Sequence, residues 1–235
     1  MVIKENKEFV PAYGEGALYI RPVLMGSGAQ LGLRSADEFL FYILVTPVNG
    51  SYYGSEPVAA YVVTEFDRSA PLGMGAYKVA GNYAPTIMPN NIAASKGGHL
   101  SLYLDPKEHK FIEEFNSSNF IAVLKDGTYV TPHSPNVLPS ITNDSLISLA
   151  QDFGLDVAKR PIEFLKEVGN FSEVAATGTA AMCTLVTKIY YNDKEFSIPV
   201  PRDGGRLVEL ADALRAIQLG EEKDLHRWML DIVRG

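Results

Sequence analysis

The sequence contains almost no cysteine and little histidine. Cys183 is the single cysteine among 235 residues, so an internal disulfide and a cage of thiolate metal ligands are both excluded. The histidines show no ligand spacing along the chain; they are His99, His109, His133 and His226. We therefore expect no metal site, and the chain suits a reducing compartment.

Basic charge and long apolar runs are also scarce. Lysine and arginine number 21 against 28 aspartates and glutamates, a net charge of -7, which disfavours nucleic acid and anionic membranes as partners. The most apolar stretch, residues 39–46, ends at Pro47 and is far too short to span a bilayer. We interpret it as a buried strand. Residues 1–10 lack the apolar segment of a secretory signal.

The rest of the composition is that of a globular protein. Hydrophobic residues make up 46% of the chain and charged residues 21%, which is enough for a sizeable core. Short β-branched and aromatic runs predict a small first sheet at residues 17–25, 39–45 and 58–63, and a meander between residues 100 and 131. Helices are predicted at about 83–94, 144–153, 161–168 and 205–219. Strands and helices without regular βαβ alternation indicate an α+β fold, with a domain boundary near residues 65–68.

A lysine stands among glycines in the segment GMGAYKVAGNY, residues 73–83. Such small neighbours allow Lys78 to pack against a ligand and lose its water. Loss of water lowers the pKa of the amine and leaves it nucleophilic. The alternative is a surface lysine next to a turn.

Three further segments carry groups that bind anions or protons. The run EVAATGTAA, residues 173–181, predicts exposed N–H groups for a phosphate or carboxylate, or else a packing site under a strand. Ile141 and Thr142 lead into the helix predicted from about residue 144, and their N–H groups suit an anion at its N-terminus, unless the segment is an ordinary N-cap. In EEFNSSN, residues 113–119, one buried carboxylate suits a protonated ring nitrogen. The alternative there is two solvated acids at a turn.

In this order, the four segments resemble those of the fold-type IV, or class IV, pyridoxal-phosphate aminotransferases, and most closely the branched-chain amino-acid aminotransferases. The sequence LYIRP at residues 18–22, followed by Gly26 and by LGL at 31–33, is similar to a family signature. GAYKVAGNYAP at residues 75–85 is similar to the family's lysine motif. The resemblance runs from about Phe9 to Trp228 and implies an α+β, fold-type IV aminotransferase-like fold.

The resemblance also implies a domain organisation. The family's N-terminal lobe precedes the LYIRP segment, and only a short lead precedes it here. We therefore expect residues 1–66 to be a remnant of a truncated N-terminal α/β lobe. Residues 67–235 are expected to be a complete C-terminal lobe that binds pyridoxal phosphate. In the family, the N-terminal lobe supplies an arginine for the phosphate and aromatic residues of the substrate pocket, and no motif in this chain replaces them.

Three residues carry the chemistry implied by the resemblance. Lys78 matches the catalytic lysine, which forms a Schiff base with pyridoxal phosphate and shuttles a proton at the substrate Cα. Tyr83 matches the tyrosine whose hydroxyl bonds the cofactor phenolate oxygen. Glu114 matches the acid that faces the pyridine nitrogen and makes the cofactor a better electron sink. Glu113 is the alternative if the local register slips.

Other residues match binding positions of the family. Those implied for the cofactor phosphate are Ile141, Thr142 and Thr179. Those implied for the substrate carboxylate are Ala180 and Ala181, with Ser117 as a second contact. Ser140 stands where the family has a glycine, and Asn143 where it has an arginine or a methionine, so the phosphate cup departs from the family pattern.

The resemblance implies an exchange in two steps. Leucine, isoleucine or valine leaves its amine on pyridoxal phosphate, and 2-oxoglutarate takes the amine away as glutamate. The implied partners are small amino acids and 2-oxo acids, and a second copy of the chain in a homodimer. Two alternatives stay open: a non-catalytic truncated homologue that binds cofactor or a partner, and another fold-type IV enzyme such as a D-amino-acid aminotransferase or an aminodeoxychorismate lyase. We expect a cytoplasmic protein, with a mitochondrial address as the alternative.

Overall fold

A computed structural model of the chain describes residues 2–49, 56–202, 204–230 and 232. The α-helices are α1 (Val2–Glu5), α2 (Ala80–Tyr83), α3 (Ile87–Ser95), α4 (Ile141–Asp152), α5 (Phe164–Glu167) and α6 (Gly205–Leu219). The strands are β1 (Ala17–Ser27), β2 (Glu38–Val48), β3 (Val58–Val63), β4 (Leu100–Leu104), β5 (Ile112–Phe115), β6 (Asn119–Leu124), β7 (Tyr129–Pro132), β8 (Val157–Arg160), β9 (Phe171–Thr177), β10 (Thr184–Tyr191) and β11 (Lys194–Ser197). Short 3-10 turns occupy Lys7–Phe9, Ala84–Thr86 and Val168–Asn170. The chain divides into two compact units, Met1–Gly50 with His226–Gly235, and Ser51–Leu225.

The first unit is built on a two-stranded antiparallel sheet of β1 and β2. The pairing runs without interruption from Ala17 opposite Val48 to Ser27 opposite Glu38. The apolar stretch at 39–46 therefore forms a strand, but its predicted burial is wrong, because every side chain from Phe39 to Leu44 is exposed. Side chains alternate between the two faces of a strand, and a sheet of two strands covers neither of its own faces.

The second unit contains a nine-stranded sheet whose hydrogen-bonded pairs close into a ring. Around the ring, β3 pairs with β4, β4 with β5, β5 with β6, β6 with β9, β9 with β10, and β10 with β3 again. Strand β11 extends the sheet from β10, and β7 and β8 extend it from β6. The antiparallel run from β4 to β7 is the predicted meander. The ring makes this unit a small barrel with helices outside, which confirms the expected mixed α+β architecture.

The sequence predicted that β3 joins β1 and β2 in one sheet. The structure shows instead that β3 belongs to the barrel. It pairs in parallel with β4 and β10, and all six of its residues are buried. Parallel strands are covered on both faces, which explains the uninterrupted apolar run VAAYVV. The division between the units accordingly falls before β3, at Gly50, whereas the boundary predicted at 66/67 falls after it.

The barrel strands send alternate side chains into two different cores. Phe115, Phe120 and Phe171 belong to the central cluster, where neighbouring ring centroids lie 5.7 Å apart. Ile121 and Val123, whose side chains point to the opposite face of β6 from that of Phe120, pack instead against apolar residues of α4 and α6. Because side chains alternate along a strand, β6 and β9 each contribute to the central cluster on one face and to the cluster under α4 and α6 on the other.

Strand β9 corrects one prediction and explains how α6 is held. Residues 173–177 were expected to expose backbone N–H groups, but they lie in a strand paired with β6 and β10. Buried Glu173 on β9 accepts the N–H of Arg206 at Oε1 and the N–H of Leu207 at Oε2, both at 2.9 Å. Its carboxylate therefore satisfies donors at the first turn of α6. A Cβ added to Gly205 would lie 2.6 Å from this carboxylate, so only glycine fits beside it.

Prolines break the helix predicted at 83–94 into pieces. Helix α2 ends at Tyr83, Pro85 lies in the 3-10 turn that follows, and α3 begins at Ile87. Pro89 is in the first turn of α3, where a missing N–H removes no helical hydrogen bond. Helix α4 begins at Ile141, earlier than predicted. None of the described helices combines the length and the apolar character needed to cross a membrane.

Candidate active site

Lys78 lies on an exposed loop immediately before α2, in the second unit. Two turns shape this loop: the N–H of Tyr77 donates to Met74 O at 2.9 Å, and the N–H of Val79 donates to Tyr77 O at 3.0 Å. Lys78 Nζ donates to Tyr83 OH at 3.0 Å and lies 5.3 Å from the centre of that ring. The structure thus brings together the lysine and the tyrosine that the sequence predicts to act together.

A buried amide fixes the segment from Met74 to Val79, which we call the lysine loop. Asn82 Nδ2 donates to the carbonyl of Met74 at 2.6 Å and to the carbonyl of Tyr77 at 2.8 Å. Both acceptors precede Lys78, and Asn82 follows it on α2. The Asn82 amide therefore closes the loop around Lys78 and restricts the position of the Lys78 backbone.

The lysine loop touches a second loop, residues 133–140, which we call the connecting loop because it joins β7 to α4. The contact is made by Gly75. A Cβ built on Gly75 would lie 2.3 Å from Asn136 O, 2.7 Å from Ser69 Oγ and 2.8 Å from Asn136 Cα. Two of these atoms are backbone, so the two loops approach this closely only because residue 75 has no side chain.

Glu114 on β5 is buried and fully engaged. Its Oε1 lies 3.0 Å from Arg68 Nη2, and its Oε2 accepts the Leu138 N–H at 3.2 Å and the Asn119 side-chain amide at 3.1 Å. Burial raises the pKa of Glu114 to about 7, and the charge of Arg68 opposes that rise. The charge of Lys78 also lowers the pKa of this carboxyl, so the two groups lie within electrostatic reach.

Glu113, the alternative to Glu114, has a different partner. It is buried, and Ser134 Oγ donates to its Oε1 at 2.7 Å. Burial raises the pKa of the Glu113 carboxyl, and the Ser134 hydrogen bond opposes the rise. Glu113 therefore anchors the beginning of the connecting loop, while Glu114 takes the ion pair and the Leu138 N–H at its end.

The connecting loop ends at the N-terminus of α4. Ser140 is the N-cap: its Oγ accepts the Asn143 N–H at 3.1 Å, and its carbonyl accepts the Asp144 N–H at 3.0 Å. Among the described residues, no hydrogen bond uses the N–H of Ile141 or of Thr142. The helix therefore has an ordinary cap and, beside it, two N–H groups at its positive end that are able to bind an anion.

Asn143, one of the two departures from the family pattern, ties α4 to the barrel. It is buried; its Oδ1 accepts Tyr129 OH at 2.7 Å, and its Nδ2 donates to Thr131 Oγ1 at 3.0 Å. Both partners lie on β7. The other departure, Ser140, caps the helix, so the two substitutions fix the position of the helix start.

The turn after β9 lies at the same edge of the barrel as Glu114. Glu114 is paired with Asn119 across β5 and β6, and Asn119 is paired with Thr177 across β6 and β9. The Met182 N–H donates to Gly178 O at 2.8 Å and closes the turn. Inside the turn lie Thr179, Ala180 and Ala181.

The predicted residues are brought together to different degrees. Lys78 and Tyr83 are in direct contact, and Glu114 is joined to the start of α4 through Leu138 of the connecting loop. Ser117 lies at the exposed tip of the β5–β6 hairpin, whose base holds Glu114 and Asn119. The turn that follows β9 is placed beside that hairpin by strand pairing.

Sequence reasoning missed three residues that hold this region together: Arg68, Asn82 and Asn136. Arg68 donates to the carbonyls of Gly75 and Asn136 and pairs with Glu114, so it links both loops to β5. Asn82 belongs to the quoted GNY motif, which offered a signal. Arg68 and Asn136 offered none, because their partners are distant in the sequence.

Comparison with known proteins identifies the family. The model of the amino-transferase class IV family matches residues 2–189. The chain belongs to the class IV aminotransferases. The branched-chain-amino-acid aminotransferase of Helicobacter pylori (strain J99 / ATCC 700824) is 39% identical to this class IV chain over 235 residues, which is 98% of this chain and 68% of that protein. The predicted family is thereby confirmed.

Solved structures of class IV aminotransferases share the fold. The crystal structure of the Escherichia coli branched-chain amino acid aminotransferase matches with a TM-score of 0.75 and 26% identity, covering 90% of this chain and 69% of that one. The branched-chain aminotransferase of the archaeon Thermoproteus uzoniensis matches with a TM-score of 0.75 and 25% identity, covering 91% of this chain and 68% of that one. The fold-type IV prediction is confirmed. Class IV aminotransferases are enzymes that depend on pyridoxal phosphate as a family.

Proposed function

We propose that this chain is a pyridoxal-phosphate-dependent transaminase that moves the amino group of leucine, isoleucine or valine to 2-oxoglutarate, giving 2-oxo acids and glutamate. The observation that carries the proposal is that one connecting loop joins the lysine loop, Glu114 and the start of α4. The relatives named as branched-chain aminotransferases support the substrate class. Another solved branched-chain amino acid aminotransferase of the same fold is complexed with N-(5'-phosphopyridoxyl)-L-glutamate.

The donors present fit the parts of pyridoxal phosphate. An exposed amine suits an aldehyde, a buried carboxylate suits a ring N–H, and two unused N–H groups at a helix start suit a phosphate. Once bound, the cofactor supplies an electron sink for the carbanion at the substrate Cα. The protein residues bind it, orient it and move the protons.

Lys78 and Tyr83 act at the reacting end. Lys78 Nζ would hold the cofactor by condensing with its aldehyde and releasing water, and the freed amine would then carry the proton between the substrate Cα and the cofactor C4′. Tyr83 OH, 3.0 Å from that nitrogen, orients the amine and bonds the cofactor phenolate oxygen. The Asn82 amide keeps the loop closed, so the backbone of Lys78, which carries Nζ, is held in a fixed position.

Glu114 acts at the ring nitrogen. Its carboxylate, already bonded by Arg68 and Leu138, accepts the ring N–H and holds the proton there. A protonated ring withdraws electrons from Cα more strongly than a neutral ring does. Buried, prearranged charge of this kind is the protein's main electrostatic contribution to such a reaction.

Backbone donors bind the two anionic groups. The N–H groups of Ile141 and Thr142, with the hydroxyl of Thr179, bind the cofactor phosphate. The N–H groups of Ala180 and Ala181 bind the substrate carboxylate, with Ser117 as a second contact. All of these residues lie within 67–235, which supports the assignment of that part as the cofactor-binding lobe. The proposal includes a homodimer, the assembly typical of the family, which sedimentation equilibrium tests.

The first experiment locates the cofactor. Purified protein receives pyridoxal phosphate, the visible absorption band is recorded, and borohydride reduction followed by peptide mapping finds the modified lysine. We expect modification of Lys78 and none in Lys78→Ala. Lys96→Ala is the matched control, because Lys96 Nζ also donates to a tyrosine, Tyr61 OH at 2.9 Å, and that bond raises the pKa of its amine and keeps it charged. Modification elsewhere would overturn the assignment of Lys78.

The second experiment follows the amine. Protein loaded with cofactor receives 15N-leucine and 2-oxoglutarate, and mass spectrometry measures 15N-glutamate. We expect transfer from L-leucine and none from D-leucine. Cofactor attached to Lys78 without any transfer would support the non-catalytic alternative, and transfer from D-leucine would support the D-amino-acid aminotransferase alternative. Either result contradicts the proposed function.

A further inference from the structure

The guanidinium of Arg68 carries the positive charge in contact with Glu114, and both side chains are buried. Their side chains are 5% and 8% exposed, and Arg68 Nη2 lies 3.0 Å from Glu114 Oε1. On the other oxygen, Oε2, the donors are two neutral groups, the Leu138 N–H and the Asn119 amide. Arg68 therefore supplies the full positive charge that touches this carboxylate.

The position of Arg68 is fixed from both loops. Its Nη2 also donates to Gly75 O at 3.3 Å and to Asn136 O. Gly75 belongs to the lysine loop, and Asn136 belongs to the connecting loop. One nitrogen of the guanidinium, Nη2, thus contacts three segments at one point.

The position of the arginine leaves one of its donors unmet. Within the described ranges, the buried Nε–H of Arg68 has no hydrogen-bond partner. A buried unpaired donor destabilises the folded state by about 1–3 kcal/mol.

The charge of Arg68 has a direct effect on Glu114. Burial raises the pKa of this carboxyl to about 7, and Arg68 is the largest influence that lowers it. Arginine stays charged at every physiological pH, so its effect does not titrate away. Arg68 is in direct contact with the Glu114 carboxylate, so it strongly stabilises the negative charge there. Its repulsion of a proton on the cofactor ring nitrogen acts over a longer distance and is weaker.

We propose that Arg68 is a positioning residue that keeps the Glu114 carboxylate ionised and aimed, so that the shared proton sits on the cofactor ring nitrogen and not on Glu114. This inference rests on the proposed function, because it needs the cofactor bound at Lys78. Without the guanidinium, the proton moves to Glu114, and the ring becomes a neutral pyridine. The cofactor then remains attached but withdraws electrons less strongly from the substrate Cα.

The test reads the ring proton directly. Protein is loaded with pyridoxal phosphate labelled with 15N in the ring, and the 15N chemical shift is recorded against pH for wild type, Arg68→Met, Arg68→Lys and Arg160→Met. Arg160→Met is the matched control, since it breaks a half-exposed arginine–glutamate pair, Arg160 Nη2 to Glu167 Oε2 at 2.6 Å. We expect a pyridinium shift in wild type and in the control, and a neutral pyridine shift in Arg68→Met.

The pH midpoint gives the size of the effect. Because an adjacent arginine lowers a carboxyl pKa by about 1–3 units, the midpoint for loss of the ring proton is expected to fall by about 1–3 units in Arg68→Met. Arg68→Lys retains the charge and is expected to restore most of that shift. A merely structural role leaves the ring proton in place wherever the folded protein still holds the cofactor, so it predicts no change in the midpoint.

Folding of the variants is checked first by urea unfolding. Where Arg68→Met does not fold, Arg68→Gln takes its place, because an amide keeps donors for the Gly75 and Asn136 carbonyls while removing the charge. A pyridinium shift with a wild-type midpoint in the neutral variant overturns the inference but leaves the proposed function intact. Wild-type protein that never attaches cofactor to Lys78 overturns the proposed function and this inference with it.

Discussion

Replacing Gly75 by alanine tests whether the contact between the lysine loop and the connecting loop is needed. The added Cβ would lie 2.3 Å from Asn136 O and 2.8 Å from Asn136 Cα. Real Cβ atoms essentially never come within 3.0 Å of such atoms, so the backbone of the connecting loop must retreat by at least 0.7 Å. That loop bonds Glu114 through Leu138 and caps α4 through Ser140, so its retreat disturbs both neighbours.

The magnitude follows from the cost of overpacking. Insertion of one methyl group into a closely packed contact destabilises a protein by about 1–3 kcal/mol. We expect Gly75→Ala to lose that amount in free energy of unfolding, measured with urea. If bound cofactor requires the original loop position, the same energy weakens binding of pyridoxal phosphate by about 5–150-fold, measured from the visible absorption band.

Gly169→Ala is the matched control for this prediction. Gly169 also adopts a backbone conformation open to alanine, and an added Cβ there meets nothing within 4 Å. Its unfolding free energy and cofactor affinity are expected to stay near those of wild type, within about 0.5 kcal/mol. If Gly75→Ala behaves like Gly169→Ala in both assays, the close approach of the two loops has no energetic importance and our reasoning about the connecting loop is refuted.

Three further predictions concern the groups around these loops. Ser140→Ala removes the acceptor of the Asn143 N–H, and urea unfolding is expected to show a loss of about 1 kcal/mol; an unchanged value would mean that the cap is dispensable. Asn82→Ala takes the donor from two carbonyls of the lysine loop, and we expect a loss of about 1–3 kcal/mol and less trapping of cofactor on Lys78 by borohydride; trapping at the wild-type level would contradict this. Burial raises the pKa of Glu114 from 4.5 to about 7, so the folded cofactor-free protein binds a proton that the unfolded chain releases. The Glu114 contribution to its unfolding free energy is therefore expected to fall by up to about 3 kcal/mol as the pH rises from 4.5 to 7. Glu114→Gln is expected to remove this part of the slope and to leave the part that comes from Glu113; equal slopes in the two proteins would disprove it.

Local pattern predicted most elements of the second unit but not their partners. Strand β3 and helix α6 have the bounds that the sequence predicted, because a fully apolar run and a 3.6-residue period are local signals. The partners of β3 come from distant segments, which no local signal shows. Strand β9 was missed because alanine is depleted in strands, and its pairing with β6 and β10 overrides that tendency.

The candidate site was predicted by resemblance to a family more than by chemistry. Lys78, taken alone, fitted a surface lysine better than a catalytic one, and only the resemblance selected Glu114 over Glu113. Arg68 was not predicted, because an ion pair between residues far apart in the sequence produces no recognisable spacing motif. The roles of the predicted residues stay predictions until the cofactor is located.

The carboxylate of Glu173 has a consequence for how the chain reaches this fold. Successive side chains of a strand point to opposite sides, so a slip of β9 by one residue would turn Glu173 away from the N–H groups of Arg206 and Leu207. The same slip would carry Thr177 away from Asn119 and misplace the turn that contains Thr179. Docking of α6 therefore favours only the alignment of β9 that also builds the proposed substrate turn.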